Sequence, residues 1–147
     1  MDMQQIARFF DRDKLAKHLD IELVDVSPGQ ATTRMTIQDK HLNGVNITHG
    51  GAIFSLADFA FAVASNSHGT LAVAINANIS FLKATTSGVL TARAREVARS
   101  KRLATYQIEV TDEEGATVAG FQGTVYRKQE PLPLEEDLTP PSSGGGR

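Results

Sequence analysis

The spacing of apolar residues predicts a short helical segment, a β-hairpin, one long helix and then four strands. Residues 4–18 have apolar positions at roughly helical intervals and predict one or two short amphipathic helices. Two strand-like runs, 21–26 and 31–37, flank the turn signal Ser27-Pro28-Gly29-Gln30 and predict the hairpin. After the long helix the alternating pattern returns in four runs joined by short turns. These runs predict an antiparallel meander of the strands 71–82, 89–98, 103–111 and 117–127.

The segment between the polar loop 39–48 and the stop residues 65–69 predicts a helix of unusual composition. Residues 52–64 are apolar around the whole circumference except at Ser55 and Asp58, and a helix that is apolar on all sides is a buried one. Its alanines keep the helix slim, so that strands can wrap closely around it. The sequence therefore predicts an α+β domain in which five or six antiparallel strands surround one long central helix.

Length, composition and charge narrow the class of protein. The 147 residues fit one domain, with a helical segment at 1–20, the sheet and central helix at 21–128, and a Pro/Gly/Ser-rich tail at 129–147 that we expect to be disordered. With a net charge of −2, the chain lacks the excess of positive charge that is typical of proteins that bind nucleic acid. Without cysteine there is no disulfide, thiolate metal site or thiol nucleophile. No run reaches the roughly 18 apolar residues of a membrane span, and no signal-type segment opens the chain, so we expect a soluble cytoplasmic protein.

Asp58 is the residue that the apolar helix does not explain. It lies between Ala57 and Phe59 in the middle of the predicted helix, where aspartate has a poor helix propensity. A buried carboxylate without partners is costly to keep ionised. Two explanations fit the sequence. Either Asp58 caps or pairs with a neighbouring element, or it is a desolvated nucleophile or general base whose pKa the site adjusts.

The triplet His49-Gly50-Gly51, at the start of the same helix, favours the second explanation. Glycines in a first helical turn let a ligand approach the backbone closely, because no Cβ stands in the way. The free N–H groups of a first turn, together with the helix dipole, suit a polarised carbonyl or an oxyanion. Taken alone, the triplet is weak evidence for such a site, because it is more typical of a tight turn from loop to helix. Combined with Asp58 it describes two halves of a hydrolytic site.

The spacing of these two halves predicts an oligomer. Gly50 and Asp58 are eight residues apart, which is about 12 Å along a helix axis. One substrate carbonyl cannot contact the Gly50 amide and the Asp58 carboxylate of the same helix. If both groups act on it, they come from two chains, so that a homodimer with antiparallel helices is the minimal active unit and holds two identical sites.

The run Asn43-x5-His49-Gly50-Gly51-x6-Asp58 and its continuation to Ser67 resemble the signature of the PaaI-like branch of hotdog-fold thioesterases. This branch includes the thioesterase associated with phenylacetate degradation. The resemblance covers about residues 20–128. It implies the hotdog fold, hydrolysis of an acyl-CoA to the free acid and CoA, and a homotetramer built as a dimer of dimers.

The resemblance also implies roles for four residues of the signature. The residue matching Asp58 acts as nucleophile or as general base on water, and the amide matching Gly50 polarises the thioester carbonyl. The side chain matching Asn43 positions the water or the thioester, and the one matching His49 supports the loop. We expect no cofactor and no metal, because no histidines or acidic residues are spaced as metal ligands.

Further residues are candidates for binding the acyl-CoA. Near the signature these are Gly51, Phe54 and Asn66, although Phe54 also fits a place in the core. The basic turn Ser100-Lys101-Arg102, between two predicted strands, is either a solvated hairpin or the cationic site that the phosphates of CoA require.

Two other functions remain open besides hydrolysis of an aryl or medium-chain acyl-CoA. A hotdog dehydratase would use a catalytic histidine with the carboxylate, for which His49 is available. A non-catalytic protein would use the same fold to bind acyl-CoA, and this alternative leaves Asp58 and Asn43 without a task. A serine hydrolase is excluded by the lack of a Gly-x-Ser-x-Gly motif.

Overall fold

The computed structural model describes residues 1–133, and every predicted helix and strand is present in it. The residues predicted to form one or two amphipathic helices form two. The loop before the central helix includes one short 3-10 turn. In chain order the elements are α1 (Met3–Phe10), α2 (Lys14–His18), β1 (Ile21–Ser27), β2 (Gln30–Thr36), α3 (Gly50–Asn66), β3 (Thr70–Phe81), β4 (Val89–Arg99), β5 (Leu103–Thr111) and β6 (Thr117–Pro131).

The strands form one antiparallel six-stranded sheet in the order β1-β2-β4-β5-β6-β3. The predicted meander is correct for β4, β5 and β6 but wrong for β3, which pairs with β6 rather than with β4. The physical reason lies in the connections. The segment after β3 returns across the end of the sheet, where the Ile37 amide bonds to the Gly88 carbonyl at 2.8 Å, and so delivers β4 to the side of β2. As a result, β3 is left as an edge strand.

Helix α3 lies on the concave face of this sheet and contacts all six strands. Phe61 is buried where the backbone of Gly123 comes close, since a Cβ at Gly123 would lie only 2.6 Å from the Phe61 ring. The prediction of a helix buried on all sides is wrong for a single chain, because the sheet covers only one side of it. The uncovered stripe consists of Gly51, Phe54, Ser55, Asp58 and Ala62.

The two ends of the described chain pack against the core. Helices α1 and α2 contact β1 and α3, and the ring of Phe10 meets that of Phe59 edge-on at 6.1 Å between centroids. Strand β6 runs to Pro131, beyond the predicted end at residue 127, so that residues 129–131 of the expected tail are strand. Its extension is held because the buried Leu132 bonds through its amide to the Gly69 carbonyl. Residues 134–147 of that tail lie outside the described chain.

Within residues 1–133, no helix has both the length and the apolar character needed to cross a lipid bilayer.

Candidate active site

Asp58 lies on the uncovered stripe of α3 and is half-buried. Burial raises the pKa of its carboxyl above the ordinary value, and the negative charge of Asp13 raises it further. In residues 1–133 its carboxylate accepts no hydrogen bond and forms no ion pair. A capping or salt-bridging role is therefore not what holds Asp58 in this helix within one chain. The side chain combines partial desolvation with access to a reactant.

The first turn of α3 exposes one backbone donor. His49 is the N-cap residue, and its Nδ1 accepts a hydrogen bond of 2.8 Å from the Gly51 amide. Because Nδ1 is the acceptor, the neutral ring has its proton on Nε2. The Gly50 amide makes no hydrogen bond within the described chain. Of the two glycine amides expected to face the substrate, only that of Gly50 is free to polarise a carbonyl, and the Gly51 amide is not.

The loop before α3 is shaped by Asn43. Its Oδ1 accepts hydrogen bonds from the amides of Val45 at 3.0 Å and Ile47 at 3.2 Å, and its own amide bonds to the Ile47 carbonyl at 2.8 Å. A short bridge between Leu42 and Thr48 closes the loop beside the helix start. The Oδ1 atom of Asn43 is thus engaged within the loop. The Nδ2 group is the part of this side chain that remains available to a water or a thioester.

A cavity of about 390 Å³ adjoins the Gly50 backbone. The ring of Phe81 forms one wall and approaches Gly50 so closely that a Cβ there would lie 3.1 Å from its Cζ atom. Lys83 lines the rim, and its Nζ is bonded to the Asp112 carboxylate at 2.5 Å. The remaining lining is mostly apolar or hydroxyl-bearing: Ile47, Thr48, Ile53, Leu82, Ala84 and Thr85.

The structure places the predicted catalytic residues in two groups. Asn43, His49 and Gly50 meet at the N-terminal end of α3, whereas Asp58 lies more than two turns along the same helix. At 1.5 Å per residue the separation is again about 12 Å. The Gly50 amide and the Asp58 carboxylate of a single chain are therefore too far apart to contact the same substrate atom.

Comparison with known proteins identifies the family. Residues 45–119 match the model of the thioesterase superfamily. The chain is 45% identical over 125 residues to a putative esterase of Archaeoglobus fulgidus, a match that covers 84% of this chain and 81% of the relative. It is 39% identical over 125 residues to the acyl-coenzyme A thioesterase PaaI of Escherichia coli, covering 84% of this chain and 89% of that protein. The chain belongs to the thioesterase superfamily.

A solved structure supports the same conclusion for the fold. The Escherichia coli PaaI protein from the phenylacetic acid degradation operon superposes with a TM-score of 0.84 and 37% identity, covering 88% of this chain and 95% of that one. The predicted hotdog fold and the PaaI-like family are thereby confirmed. The chain is a thioester hydrolase of this family.

Two residues that were predicted to bind the acyl-CoA form hydrogen bonds within the thioesterase itself. Asn66 is buried, donates from Nδ2 to the carbonyls of Ala62 and Ala72, and accepts from the Ala72 amide at 2.9 Å. It joins α3 to β3, and we withdraw it as a substrate contact. The Ser100 hydroxyl bonds to the Leu103 amide and carbonyl and closes the β4–β5 hairpin, so it is withdrawn as well.

Phe54 sits between core and surface in the thioesterase. Its ring meets Phe121 at 5.2 Å between centroids, while part of the side chain stays on the uncovered stripe one turn before Asp58. Both expectations from the sequence, core and substrate contact, are compatible with this placement. Phe54 therefore stays in the candidate site.

Lys101 and Arg102 lie exposed at the tip of the β4–β5 hairpin. Neither has an ion pair within residues 1–133. The hairpin is fastened by Arg127, whose Nη1 donates to the Ser100 carbonyl at 2.9 Å and whose amide donates to the Arg102 carbonyl at 2.7 Å. Because Arg127 pairs with Ala72 at the start of β3, the two free cations stand at the end of the sheet where α3 terminates.

Sequence reasoning missed Asp13. This residue is the N-cap of α2, and the structure places it near enough to Asp58 for its charge to act on that carboxyl. The only signal in the sequence is an aspartate before a short helical run, which predicts a cap and nothing more.

Proposed function

We propose that the protein hydrolyses acyl-CoA thioesters through Asp58 of one chain and the Gly50 amide of another. The observation that carries the proposal is the half-buried, unpartnered Asp58 carboxylate on the uncovered stripe of α3. Such a group costs folding free energy, and no contact within the described chain compensates for it. One relative, 39% identical to this chain, is named an acyl-coenzyme A thioesterase, which supports the choice of substrate class.

The chemistry divides between the two groups. The Gly50 N–H donates to the thioester oxygen as negative charge develops on it. In one version Asp58 takes a proton from a water molecule, whose oxygen attacks the carbonyl carbon. The C–S bond then breaks, and the CoA thiolate leaves and is protonated. In the other version an Asp58 oxygen attacks the carbonyl carbon directly, the C–S bond breaks and CoA leaves as the thiolate, and water then hydrolyses the resulting anhydride and restores the Asp58 carboxylate. Both yield one acid and one CoA, and Asn43 is proposed to hold the water or the thioester in either version.

The proposed assembly is a two-fold dimer through β3. This edge strand and the residue that follows it have large apolar side chains that are exposed in one chain: Val73, Ile75 and Phe81 on the strand and Leu82 after it. A long apolar edge strand is suited to pairing with another strand. Pairing of two β3 edges would bring two uncovered α3 stripes together in antiparallel order. The homotetramer that the resemblance implies would contain two such dimers.

The proposed acyl site is the cavity beside Gly50. A carbonyl bound to the Gly50 amide would direct its acyl group between Phe81 and Ile53, in a space of about 390 Å³ with mostly apolar walls. This size suits an aryl or medium-chain acyl group. Phe54, on the uncovered stripe one turn from Asp58, is proposed to contact the same substrate.

The test of the proposed function is release of free thiol from a panel of CoA thioesters with acetyl, octanoyl, benzoyl and phenylacetyl groups. Phenylacetyl is included because the similar Escherichia coli PaaI comes from the phenylacetic acid degradation operon. We expect turnover that is strongest with the aryl or octanoyl substrates. Tight binding of these compounds without release of thiol from any of them would favour the non-catalytic alternative.

Lys101 and Arg102 are proposed to bind the phosphates of CoA, because neither has an ion pair within residues 1–133 and both stand at the end of the sheet where α3 terminates. We expect the double variant Lys101→Gln/Arg102→Gln to raise KM for an acyl-CoA by about tenfold, since charge-assisted bonds to phosphate are lost. KM for the matching acyl-pantetheine, which lacks the phosphates, should not change.

Lys128→Gln is the matched control, since Lys128 lies near Glu130 at 3.8 Å on β6. An equal rise in KM for both thioesters would place the hairpin outside the CoA site.

A further inference from the structure

Asp13 is held in place by hydrogen bonds to both N-terminal helices and by the packing of Phe10, to which it is bonded. Its Oδ1 accepts a hydrogen bond of 2.9 Å from the Ala16 amide, which caps α2. Its own amide donates to the Phe10 carbonyl at 3.1 Å. Phe10 in turn packs edge-on against Phe59, the residue that follows Asp58. The carboxylate is half-buried at the junction of α2 with α3, so a charge at this position cannot move away from Asp58 freely.

The other charged groups on the elements around α3 are differently placed. Most of those on the strands belong to exposed positions that alternate with the core-facing ones, on the outer side of the sheet: Glu22, Asp25, Arg34, Arg93, Arg95 and Glu109. The half-buried Arg127 of β6 donates to the Ser100 carbonyl, and Arg99, Lys128 and Glu130 are exposed near the ends of their strands. Those of the N-terminal helices and their connection are exposed: Arg8, Asp11, Arg12, Lys14, Lys17 and His18. Glu96 is bonded to His68 and Tyr106 near the end of α3. Among them all, Asp13 is the group whose charge acts on the Asp58 carboxyl.

We propose that Asp13 is a positioning residue for the thioesterase reaction, whose fixed negative charge keeps Asp58 a stronger base and makes the N-terminal helices part of the active site. This inference rests on the proposed function, in which Asp58 is the base or nucleophile. Asp13 itself touches neither substrate nor water in this role. It acts on the reaction only through Asp58.

The physical basis is repulsion between like charges. A negative charge nearby disfavours the ionised form of a carboxyl, and a carboxylate that holds its proton more tightly is the better proton acceptor. The raised pKa of Asp58 has this direction, with burial as the larger cause and Asp13 as the second. Asp13 also caps α2, and the free energy gained from this cap offsets part of the cost of the repulsion. The repulsion is electrostatic, so salt weakens it.

The decisive variant is Asp13→Asn, because asparagine caps a helix about as well as aspartate but carries no charge. We expect the acid limb of the kcat/KM profile to move down by about half a pH unit at low salt. We also expect a two- to fivefold lower plateau kcat, because Asp58 becomes a weaker base. At about 1 M salt, where charges are screened within about 3 Å, the limbs of the two proteins should nearly coincide.

The matched control is Asp2→Asn, since Asp2 caps α1 in the same way, away from Asp58. Its profile should follow the wild type at every salt concentration. Thermal denaturation of Asp13→Asn and of Asp13→Ala separates the cap from the charge, since only the alanine variant loses the cap. An Asp13→Asn profile that superimposes on the wild type at low salt overturns the inference. Asp58→Asn, assayed in parallel, distinguishes this failure from failure of the proposed function, which an active Asp58→Asn enzyme would indicate.

Discussion

Asp58→Asn is expected to lower kcat for thioester hydrolysis by about a thousandfold or more while the protein stays folded. The amide has the shape of the carboxyl but neither accepts a proton from water nor attacks a carbonyl, and loss of a general base alone costs about 10²–10⁴ in rate. Release of free thiol from the best acyl-CoA of the panel measures the effect. Asp25→Asn is the matched control, because Asp25 is an exposed carboxylate on β1 away from the uncovered stripe.

The same variant is expected to be more stable than the wild type at neutral pH. The folded-state pKa of Asp58 is raised above the unfolded value of about 3.9, so the ionised carboxylate destabilises the folded state. As pH falls through the folded-state pKa, the Asp58 carboxylate of the wild type takes up a proton and no longer destabilises the folded state. Asp58→Asn has no charge at this position at any pH, so it has no such destabilisation to lose. The gap in Tm should therefore close between neutral pH and about pH 4.

Thermal denaturation across this range checks the sign. An Asp58→Asn protein that is less stable than the wild type at neutral pH would mean that a cation or a donor stabilises Asp58 in the assembly. In that case Asp58 would have the structural role of capping or pairing with a neighbouring element, which is the first of the two explanations that fit the sequence.

The central helix and its carboxylate were predictable because both depend on local pattern. Residues 52–64 are apolar in a way that only a buried helix explains, and Asp58 stands out against that background without any knowledge of the sheet. The strand positions follow from alternation in the same way, and β5 begins and ends at the predicted residues. The pairing of β3 with β6 could not be predicted from this alternation, because it depends on where the connection between β3 and β4 places β4 in the sheet.

The predicted site residues that form hydrogen bonds within the protein itself have a common feature. Asn66 and Ser100 are polar residues beside a turn, and nothing in the sequence distinguishes a side chain that bonds to its own backbone from one that binds a ligand. The Gly51 amide is engaged for the same reason, since His49 caps it. Asp13 illustrates the converse. Its cap is local and predictable, but its approach to Asp58 depends on the packing of Phe10 against Phe59.

Gly50→Pro is expected to lower kcat by about 10²–10³, because it removes the one N–H that we assign to the thioester oxygen. Gly50 is the first residue of α3, where proline is tolerated. It does not have a positive φ, and His49 before it has the extended backbone (φ −62°, ψ 134°) that proline requires of its predecessor. Gly50→Ala is the control, since it keeps the N–H and adds only a Cβ against the exposed end of Phe81. Its kcat should stay within about tenfold of the wild type.

Co-expression of Asp58→Asn with Gly50→Pro tests whether the site spans two chains. In a mixed dimer of the proposed kind, one site combines both defects, and the other combines an intact Asp58 with an intact Gly50. Random assembly makes about half of the dimers mixed, so activity should recover to about a quarter of the wild type although each variant alone is inactive. If Asp58 and Gly50 of the same chain formed each site, every site would contain one defect and no activity would return. A chain with both substitutions, co-expressed with the wild type, is the complementary mixture. In the cross-chain arrangement each mixed dimer has one defect in each of its two sites, so only the wild-type pairs are active and about a quarter of the wild-type activity should remain. If each site belonged to one chain, every mixed dimer would keep one intact site and about half of the activity would remain. Activity near a quarter in that second mixture, together with recovery in the first, fits only a site shared between chains, whereas activity near a half in the second mixture contradicts it.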